Sequence, residues 1–102
     1  MNASPVCRLS ELEEGRGKLV SVDGKPVAVF LVGGTPYAIA NTCPHRGGPL
    51  SRGKLEGTTV RCPIHGWTFD LSTGESQNQP GQKVPCYRAF LQNEEINIGA
   101  IP

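Results

Sequence analysis

The sequence predicts an all-β fold, a small sandwich or barrel that carries a loop-rich insertion. Glycine and proline, 13 and 9 of the 102 residues, are spread along the chain and divide it into short segments. These segments are rich in Val, Ile, Phe and Tyr, which favour strands. The middle of the chain holds two loops in which a cysteine, a proline, a histidine and a glycine follow in the same order. We therefore expect strands around a segment with a chemistry of its own.

Eight segments have the composition of strands. The dipeptides Asp23-Gly24 and Gly33-Gly34 are hairpin signals that link three of them, and Asn93-Glu94 is a weaker turn signal near the end of the chain. The predicted strands are residues 6–9, 18–22, 27–32, 37–40, 58–62, 67–71, 87–91 and 96–98.

The helical signal is short. Ser10 suits an N-cap, and Glu13 stands three residues later at the capping-box position. Gly15 ends the pattern after about one turn, which argues against a helical or dinucleotide-binding α/β architecture.

The least regular stretch runs from about residue 41 to residue 82 and contains both loops. We predict that it is a cluster-bearing insertion between the flanking strands. The whole chain, residues 1–102, is expected to be one domain, because its length leaves little room for a second.

Composition excludes several classes of function. A net charge of +1 gives no strong field for nucleic acid or for a membrane surface. The longest apolar run, about residues 27–32, is far shorter than the ~20 residues that span a bilayer. The N-terminus lacks a basic region followed by an apolar core, so we expect a cytoplasmic protein with reduced thiols. In that setting, clustered cysteine and histidine predict a metal site rather than disulfides.

The two loops contain both histidines of the chain, each close behind a cysteine. The pattern is C-x-H at 43–45, sixteen residues, then C-x-x-H at 62–65. A single buried cysteine or histidine is ordinarily a packing residue. Four such side chains in two similarly ordered loops suit a metal instead. The candidate metal ligands are Cys43, His45, Cys62 and His65.

Two kinds of metal centre fit these ligands. Zinc accepts two cysteines and two histidines, but its paired ligands are usually separated by two to four residues, and here only Pro44 separates the first pair. A [2Fe–2S] centre removes this difficulty, because each loop can give its cysteine to one iron and its histidine to the other.

The stretches CPHRGGPL and CPIHGWTFDLSTG closely resemble the two cluster loops of Rieske-type proteins. The resemblance covers nearly the whole chain. It extends to the soluble Rieske ferredoxins of bacterial ring-hydroxylating oxygenase systems and to the small subunit of assimilatory nitrite reductases. It implies a Rieske-like fold with one [2Fe–2S] cluster per chain. In that arrangement Cys43 and Cys62 hold the inner iron, while His45 and His65 hold the outer iron that takes the electron.

The resemblance also implies roles for residues near the ligands. Gly47, Gly48 and Gly66 would let backbone N–H groups approach the sulfides, although turn geometry alone also explains glycine there. The segment 79–81, Gln-Pro-Gly, is similar to the proline-containing third loop that shields the cluster, and it also fits an ordinary type II turn.

The sequence departs from the respiratory and photosynthetic members of this family. Those proteins carry an extra cysteine in each loop, joined by a disulfide, at the positions that match Gly48 and Ile64. They also place a hydroxyl at the position of Trp67, which we expect to pack rather than to relay electrons. Fewer hydrogen-bond donors to the cluster predict a reduction potential near the low end of the Rieske span of roughly −150 to +300 mV.

Two cysteines and several cations lie outside the ligand set. Cys7 and Cys86 are expected to be reduced, unreactive thiols on strands. Arg46, one residue past a ligand histidine, is the cation expected to meet a partner. Such charges ordinarily mark a solvated surface. The loop region is locally basic because it contains Arg46, Arg52, Lys54 and Arg61.

The expected function is electron transfer and not catalysis. Neither histidine remains for an oxygen-activating iron site, and the chain has no G-x-G-x-x-G for a flavin or a nicotinamide. We expect a monomer that carries one electron from a flavin-dependent NAD(P)H reductase to a terminal oxygenase. One alternative is the small subunit of an assimilatory NAD(P)H nitrite reductase, with its large subunit as partner. A further alternative is a zinc-stabilised interaction module.

Overall fold

The computed structural model describes residues 3–22, 24–44, 47–64 and 66–99. Two 3-10 helices, Leu9–Glu11 and Leu50–Arg52, occur in this part of the chain, and no helix there is long and apolar enough to cross a membrane. The strands are β1 (Ala3–Arg8), β2 (Gly17–Val22), β3 (Lys25–Val32), β4 (Thr35–Ala40), β5 (Lys54–Glu56), β6 (Thr59–Arg61), β7 (Thr68–Asp70), β8 (Cys86–Gln92) and β9 (Glu95–Gly99).

Six of the strands form one antiparallel sheet in the order β1-β9-β8-β4-β3-β2. The two edge strands, β1 and β2, approach each other, so the sheet curls into a nearly closed barrel. The predicted all-β fold with a small barrel is confirmed.

Two-residue turns join neighbouring strands of this barrel. Gly33 and Gly34, between β3 and β4, have φ of +59° and +80°. Asn93 and Glu94, between β8 and β9, have φ of +54° and +61°. Positive φ at both positions is the geometry that matches the twist of a hairpin, so the weaker turn signal at 93–94 marks a complete hairpin. The turn predicted at Asp23-Gly24 joins β2 and β3, and Asp23 itself lies outside the described residues.

Strand β3 is buried on both faces and separates two apolar cores. Ala28 and Phe30 pack into the first core, and Val27, Val29 and Leu31 pack into the second. This alternation follows the two-residue period of a strand and explains why β3 is the longest apolar run of the sequence. The second core fills the barrel, and the first lies under the segment that carries the two cysteine loops.

That segment contains a second, three-stranded sheet in the order β5-β6-β7, located in sequence between β4 and β8. Val60 on β6 pairs with Phe69 on β7, and both side chains are fully buried in the first core. The small sheet therefore stands on the face of β3 that presents Phe30, and it holds the second cysteine loop between β6 and β7.

Two details of the fold differ from the sequence predictions. Strand β5 was missed, because its sequence Lys-Leu-Glu has one apolar residue between two charges; Leu55 nevertheless pairs with Val60 and packs against the first core. The cap predicted at Ser10 and Glu13 is wrong. The helix is capped at Arg8, whose N–H donates to the Glu11 carboxylate at 2.9 Å, with the same three-residue spacing two positions earlier.

Candidate metal centre

Loop 1, residues 43–48, is closed by two backbone hydrogen bonds of its cysteine. The N–H of Gly47 donates to the carbonyl of Cys43 at 2.8 Å, and the N–H of Cys43 donates to the carbonyl of Gly48 at 2.9 Å. The base of the loop is tied to the barrel by the buried residue Asn41, whose backbone carbonyl and side-chain oxygen accept from the N–H groups of Leu50 and Ser51. Cys43 is thereby held at a fixed place at the end of β4.

Loop 2, residues 62–67, repeats both bonds at the same offsets. The N–H of Gly66 donates to the carbonyl of Cys62 at 3.1 Å, and the N–H of Cys62 donates to the carbonyl of Trp67 at 2.7 Å. In each loop the cysteine is therefore bonded to the residues four and five positions later. The shared sequence order reflects one backbone turn that the chain uses twice.

The shared turn requires glycine at its fifth position. Gly47 and Gly66 occupy it with φ of +70° and +78°, which side-chain-bearing residues rarely adopt. Turn geometry is thus one sufficient reason for these two glycines. Counting from each cysteine, the two histidines are not equivalent, because His45 stands at the second following position and His65 at the third.

The two loops meet at the sulfur of Cys62. A Cβ atom added to Gly48 of loop 1 would lie 2.7 Å from the Cys62 Sγ and 2.6 Å from the Ile64 Cγ1. Cys43 and Cys62 are only 1% and 2% exposed, belong to the same core and are not joined by a disulfide. The two loops thus provide two buried thiols, and Gly48 places backbone without a side chain next to the sulfur of Cys62. This arrangement fits the cysteine half of the predicted metal centre.

Gly48 and Ile64, the positions matched to the disulfide of respiratory and photosynthetic Rieske proteins, are direct neighbours. The Cβ position of Gly48 lies 3.4 Å from the Cβ of Ile64, close to the ~3.5–4.5 Å that a disulfide needs. The structure thus agrees with that matching. This chain fills the place with an isoleucine side chain that is 50% exposed.

Of the four predicted ligands, the structure brings together the two cysteines. His45 and His65 lie outside the described residues, as does Arg46. The residues that flank these histidines on the amino side, Pro44 and Ile64, are exposed.

Sequence reasoning missed a side chain that holds loop 2 in place. The Asn78 amide donates to the carbonyl of Gly66 at 3.0 Å and accepts from the N–H of Thr68 at 3.0 Å. The sequence signal was weak, since asparagine in a polar loop ordinarily bonds only to its neighbours.

The segment 79–81 next to Asn78 has the geometry of a type II turn. The N–H of Gln82 donates to the carbonyl of Gln79 at 3.0 Å, and Gly81 has φ of +85°. An ordinary type II turn, the simpler of the two interpretations of this segment, is therefore sufficient to explain its conformation.

The remaining cysteines lie away from the loops. Cys7 is buried in the second core, on β1, and burial raises the pKa of its thiol. Cys86 begins β8, half-buried, with its thiol donating to the carbonyls of Ser72 and Leu71 at 3.5 and 3.6 Å. Neither cysteine forms a disulfide within the described part of the chain, and their reduced state stays a prediction. Trp67 packs against the first core, in agreement with a packing role.

The comparisons with known proteins identify the family. The profile of the Rieske [2Fe-2S] domain matches residues 2–88. This chain belongs to the Rieske [2Fe-2S] domain family. The ferredoxin component of the naphthalene 1,2-dioxygenase system of Pseudomonas putida is 36% identical over 91 residues, 88% of each chain. Apoptosis-inducing factor 3 of mouse is 33% identical over 96 residues, and this chain spans only 16% of its length.

Solved structures of this Rieske family share the fold over almost the whole chain. The ferredoxin of carbazole 1,9a-dioxygenase from Nocardioides aromaticivorans has a TM-score of 0.89 at 30% identity, covering 96% of this chain and 97% of its own. A Mycobacterium tuberculosis protein described as an NADH-dependent nitrite reductase small subunit has a TM-score of 0.92 at 28% identity, covering 99% and 96%.

These findings confirm the predicted cofactor and decide against the zinc alternative. The protein binds a Rieske [2Fe–2S] cluster, which supplies a one-electron redox couple when bound. Relatives that are matched over most of their own length are ferredoxin components of dioxygenase systems.

Proposed function

We propose that this chain carries single electrons from a flavin-dependent NAD(P)H reductase to a terminal oxygenase. The observation that carries the proposal is the end-to-end match to ferredoxin components of dioxygenase systems, at 88% of each chain. A further relative, 31% identical and with a TM-score of 0.85, was solved in a complex of oxygenase and ferredoxin of carbazole 1,9a-dioxygenase. In this proposal the protein is a cytoplasmic monomer, and residues 1–102 form one domain with a cluster-binding insertion at about 41–82.

The proposed ligand set is Cys43 and Cys62 on the inner iron, with His45 and His65 on the outer iron. The burial of both cysteines supports the inner assignment. The exposure of Pro44 and Ile64, each directly before a histidine, supports an outer iron close to the surface. An electron would therefore leave through the histidine side, where a partner can approach the cluster.

A second candidate function is that of a nitrite reductase small subunit. It is favoured by the TM-score of 0.92 to the Mycobacterium tuberculosis protein, which is matched over 96% of its length. The two functions differ in their partner. A carrier binds its oxygenase weakly and leaves it, whereas a subunit co-purifies with its large subunit from the native source.

The ligand set is tested by single substitutions in the reconstituted protein. Cys43→Ser and Cys62→Ser should abolish the visible spectrum and lower the folding stability, because cluster binding contributes to folding. Cys86→Ser is the matched control, since its thiol is half-buried but lies outside both loops. It should keep two irons and two sulfides per chain. A native-like spectrum in Cys62→Ser would show that the ligand assignment is wrong.

The electron route is tested by rapid mixing without oxygen. The reduced protein should be reoxidised by the oxygenase in a single second-order phase, and substrate turnover should require NAD(P)H, reductase and this protein together. Sedimentation of the protein alone should show a monomer. Stoichiometric co-purification with a nitrite reductase large subunit, without reoxidation by the oxygenase, would replace the first candidate with the second.

A further inference from the structure

The carbonyl of Gly66 accepts hydrogen bonds from two side chains. The Asn78 Nδ2 donates to it at 3.0 Å and the Arg61 Nη1 donates to it at 3.2 Å. Gly66 directly follows His65 in the sequence, and its own N–H is bonded to the carbonyl of Cys62. Both peptide groups of Gly66 are therefore hydrogen-bonded. Because glycine has no Cβ, its backbone could adopt many other conformations if those bonds were absent.

Asn78 reaches this carbonyl from a different loop, and its other end is also engaged. Its Oδ1 accepts from the backbone N–H of Thr68 at 3.0 Å and from the hydroxyl of Ser76 at 3.3 Å. A backbone bond from the N–H of Gln77 to the carbonyl of Thr68, at 2.9 Å, runs beside it. One amide thus bridges the backbone from residue 66 to residue 68, where loop 2 passes into β7.

Arg61 is the weaker of the two donors to Gly66. Its side chain is 46% exposed, and its guanidinium is shared with Glu56 at 3.7 Å. Both donors are exposed, but a long and flexible side chain fixes a carbonyl less firmly than a short amide that is anchored at both ends. Asn78 is therefore the main restraint on the end of loop 2.

We propose that Asn78 is a positioning residue of the Rieske centre, which fixes loop 2 on the cluster through the Gly66 carbonyl. The proposal rests on the proposed ligand set, in which His65 and Cys62 belong to this loop. Since loop 2 would supply one ligand to each iron, its restraint at residue 66 controls both the orientation of the histidine and the rate at which the loop opens.

The test compares three variants of the reconstituted holoprotein. Asn78→Ala removes both the donor to the Gly66 carbonyl and the acceptor for the Thr68 N–H. Asn78→Asp keeps an oxygen that accepts from the Thr68 N–H but removes the donor to the Gly66 carbonyl. Gln77→Ala is the control, because Gln77 is the neighbouring amide and its side chain bonds only to Asp70, at 3.4 Å, among the described contacts. Two quantities are measured: the rate of cluster release to a chelator and the EPR g-values of the reduced protein.

Asn78→Ala and Asn78→Asp should both release the cluster about tenfold faster than the wild type, as expected from the loss of roughly 1.4 kcal/mol of hydrogen bonding. Both should also shift or broaden the EPR signal, whereas a change confined to the loop that contains Gln77 and Asn78 would leave the signal unchanged. Gln77→Ala should match the wild type in both measurements.

Two outcomes would overturn the proposal. Wild-type behaviour of Asn78→Asp would show that the donor to Gly66 does not position the loop. An effect of Gln77→Ala as large as that of Asn78→Ala would assign the effect to general loosening of the third loop. The wild-type EPR spectrum separately tests the ligand set: a reduced protein without a Rieske-type signal would refute the proposed centre, whatever the variants do.

Discussion

Gly48 shows how a single missing side chain lets the two cysteine loops meet. Its φ is not in the left-handed region, so glycine is required there for space and not for backbone conformation. The space belongs to the sulfur of Cys62 and the side chain of Ile64, which a Cβ would approach to 2.7 and 2.6 Å. The sequence identified Gly48 as part of a motif, but the contact joins segments that are fourteen residues apart and could not be derived from local pattern.

Gly48→Ala should therefore weaken cluster binding. The isoleucine side chain is exposed and can rotate away, whereas the buried sulfur of Cys62 cannot. We expect a lower iron content and faster cluster release. Gly99→Ala is the matched control, because an added Cβ there meets nothing closer than 3.9 Å. Full recovery of iron content in Gly48→Ala/Ile64→Ala would show that Ile64, and not the cysteine sulfur, is the obstacle.

The two thiols outside the loops should be slow to react in the native protein. Burial raises the pKa of Cys7, with Glu11 adding to the rise and Lys18 opposing it. Burial, and then Asp70, raise the pKa of Cys86. Since the thiolate is the reactive form, native alkylation by iodoacetamide near pH 8 should be much slower than in urea at both residues, as read by peptide mass spectrometry. Rapid native alkylation of Cys86 would contradict the assignment.

The same shifts give a sign for the dependence of stability on pH. A folded-state pKa above the unfolded one means that the folded protein favours the protonated thiol. This contribution to the free energy of unfolding is fully present below the unfolded pKa and is lost as pH rises through the folded pKa. The free energy of unfolding, measured with denaturant, should therefore decline as pH becomes alkaline. The double variant Cys7→Ala/Cys86→Ala should show a smaller decline.

At the scale of elements, strand β3 connects the barrel to the cluster-bearing segment. Its two faces serve two cores, so it was predictable from composition alone as a long apolar run. The β3–β4 hairpin was predictable because its paired glycines mark positive φ directly. Strand β5 was not predictable from the sequence, because it depends on pairing with β6. The helix cap at Arg8 was not predictable either, because nearby residues offer the same three-residue spacing.

The β3–β4 hairpin has a restraint that composition did not indicate. Both carboxylate oxygens of Glu14 accept backbone N–H groups, from Gly33 and Gly34, each at 2.8 Å. The segment before β2 is thereby pinned to the turn, next to the bridge between Glu14 and Leu31. This element holds one end of the strand on which the cluster-bearing segment stands.

Glu14→Gln should lower the free energy of unfolding by about 1 kcal/mol, because one of the two acceptors becomes a donor that faces an N–H. For a domain of this length, that corresponds to a fall in Tm of roughly 4–8 °C. Glu13→Gln is the control, since among the described contacts the side chain of Glu13 makes only an exposed ion pair with Arg16. Equal Tm values for the two variants would show that the Glu14 bonds do not contribute to stability.

At the scale of the whole molecule, the sequence predicted the fold class and the cofactor, because strand patterns and the two cysteine-histidine loops are local signals, whereas the ligand set stays a prediction. The contacts that arrange these parts were not predictable. Asn78 reaches Gly66 across twelve residues, and Cys62 meets Gly48 only because the three-stranded sheet packs against one face of the barrel sheet, on β3. Such contacts depend on tertiary packing, which the single-chain pattern does not contain.

The distribution of charge leads to the last prediction. The whole chain has a net charge of only +1, yet Arg52 and Lys54 follow loop 1 directly, exposed and in no ion pair within the described part of the chain. If the partner docks at the loops, charge position and not net charge should control the rate of association. Arg52→Glu should slow reoxidation of the reduced protein by the proposed oxygenase partner several-fold at low salt, and the difference should shrink as ionic strength rises. Arg88→Glu, an equal charge change on β8 of the barrel, should have little effect. Stopped-flow rates across a salt series measure both variants, and equal slowing by the two would mean that net charge, and not a basic surface beside loop 1, steers the encounter.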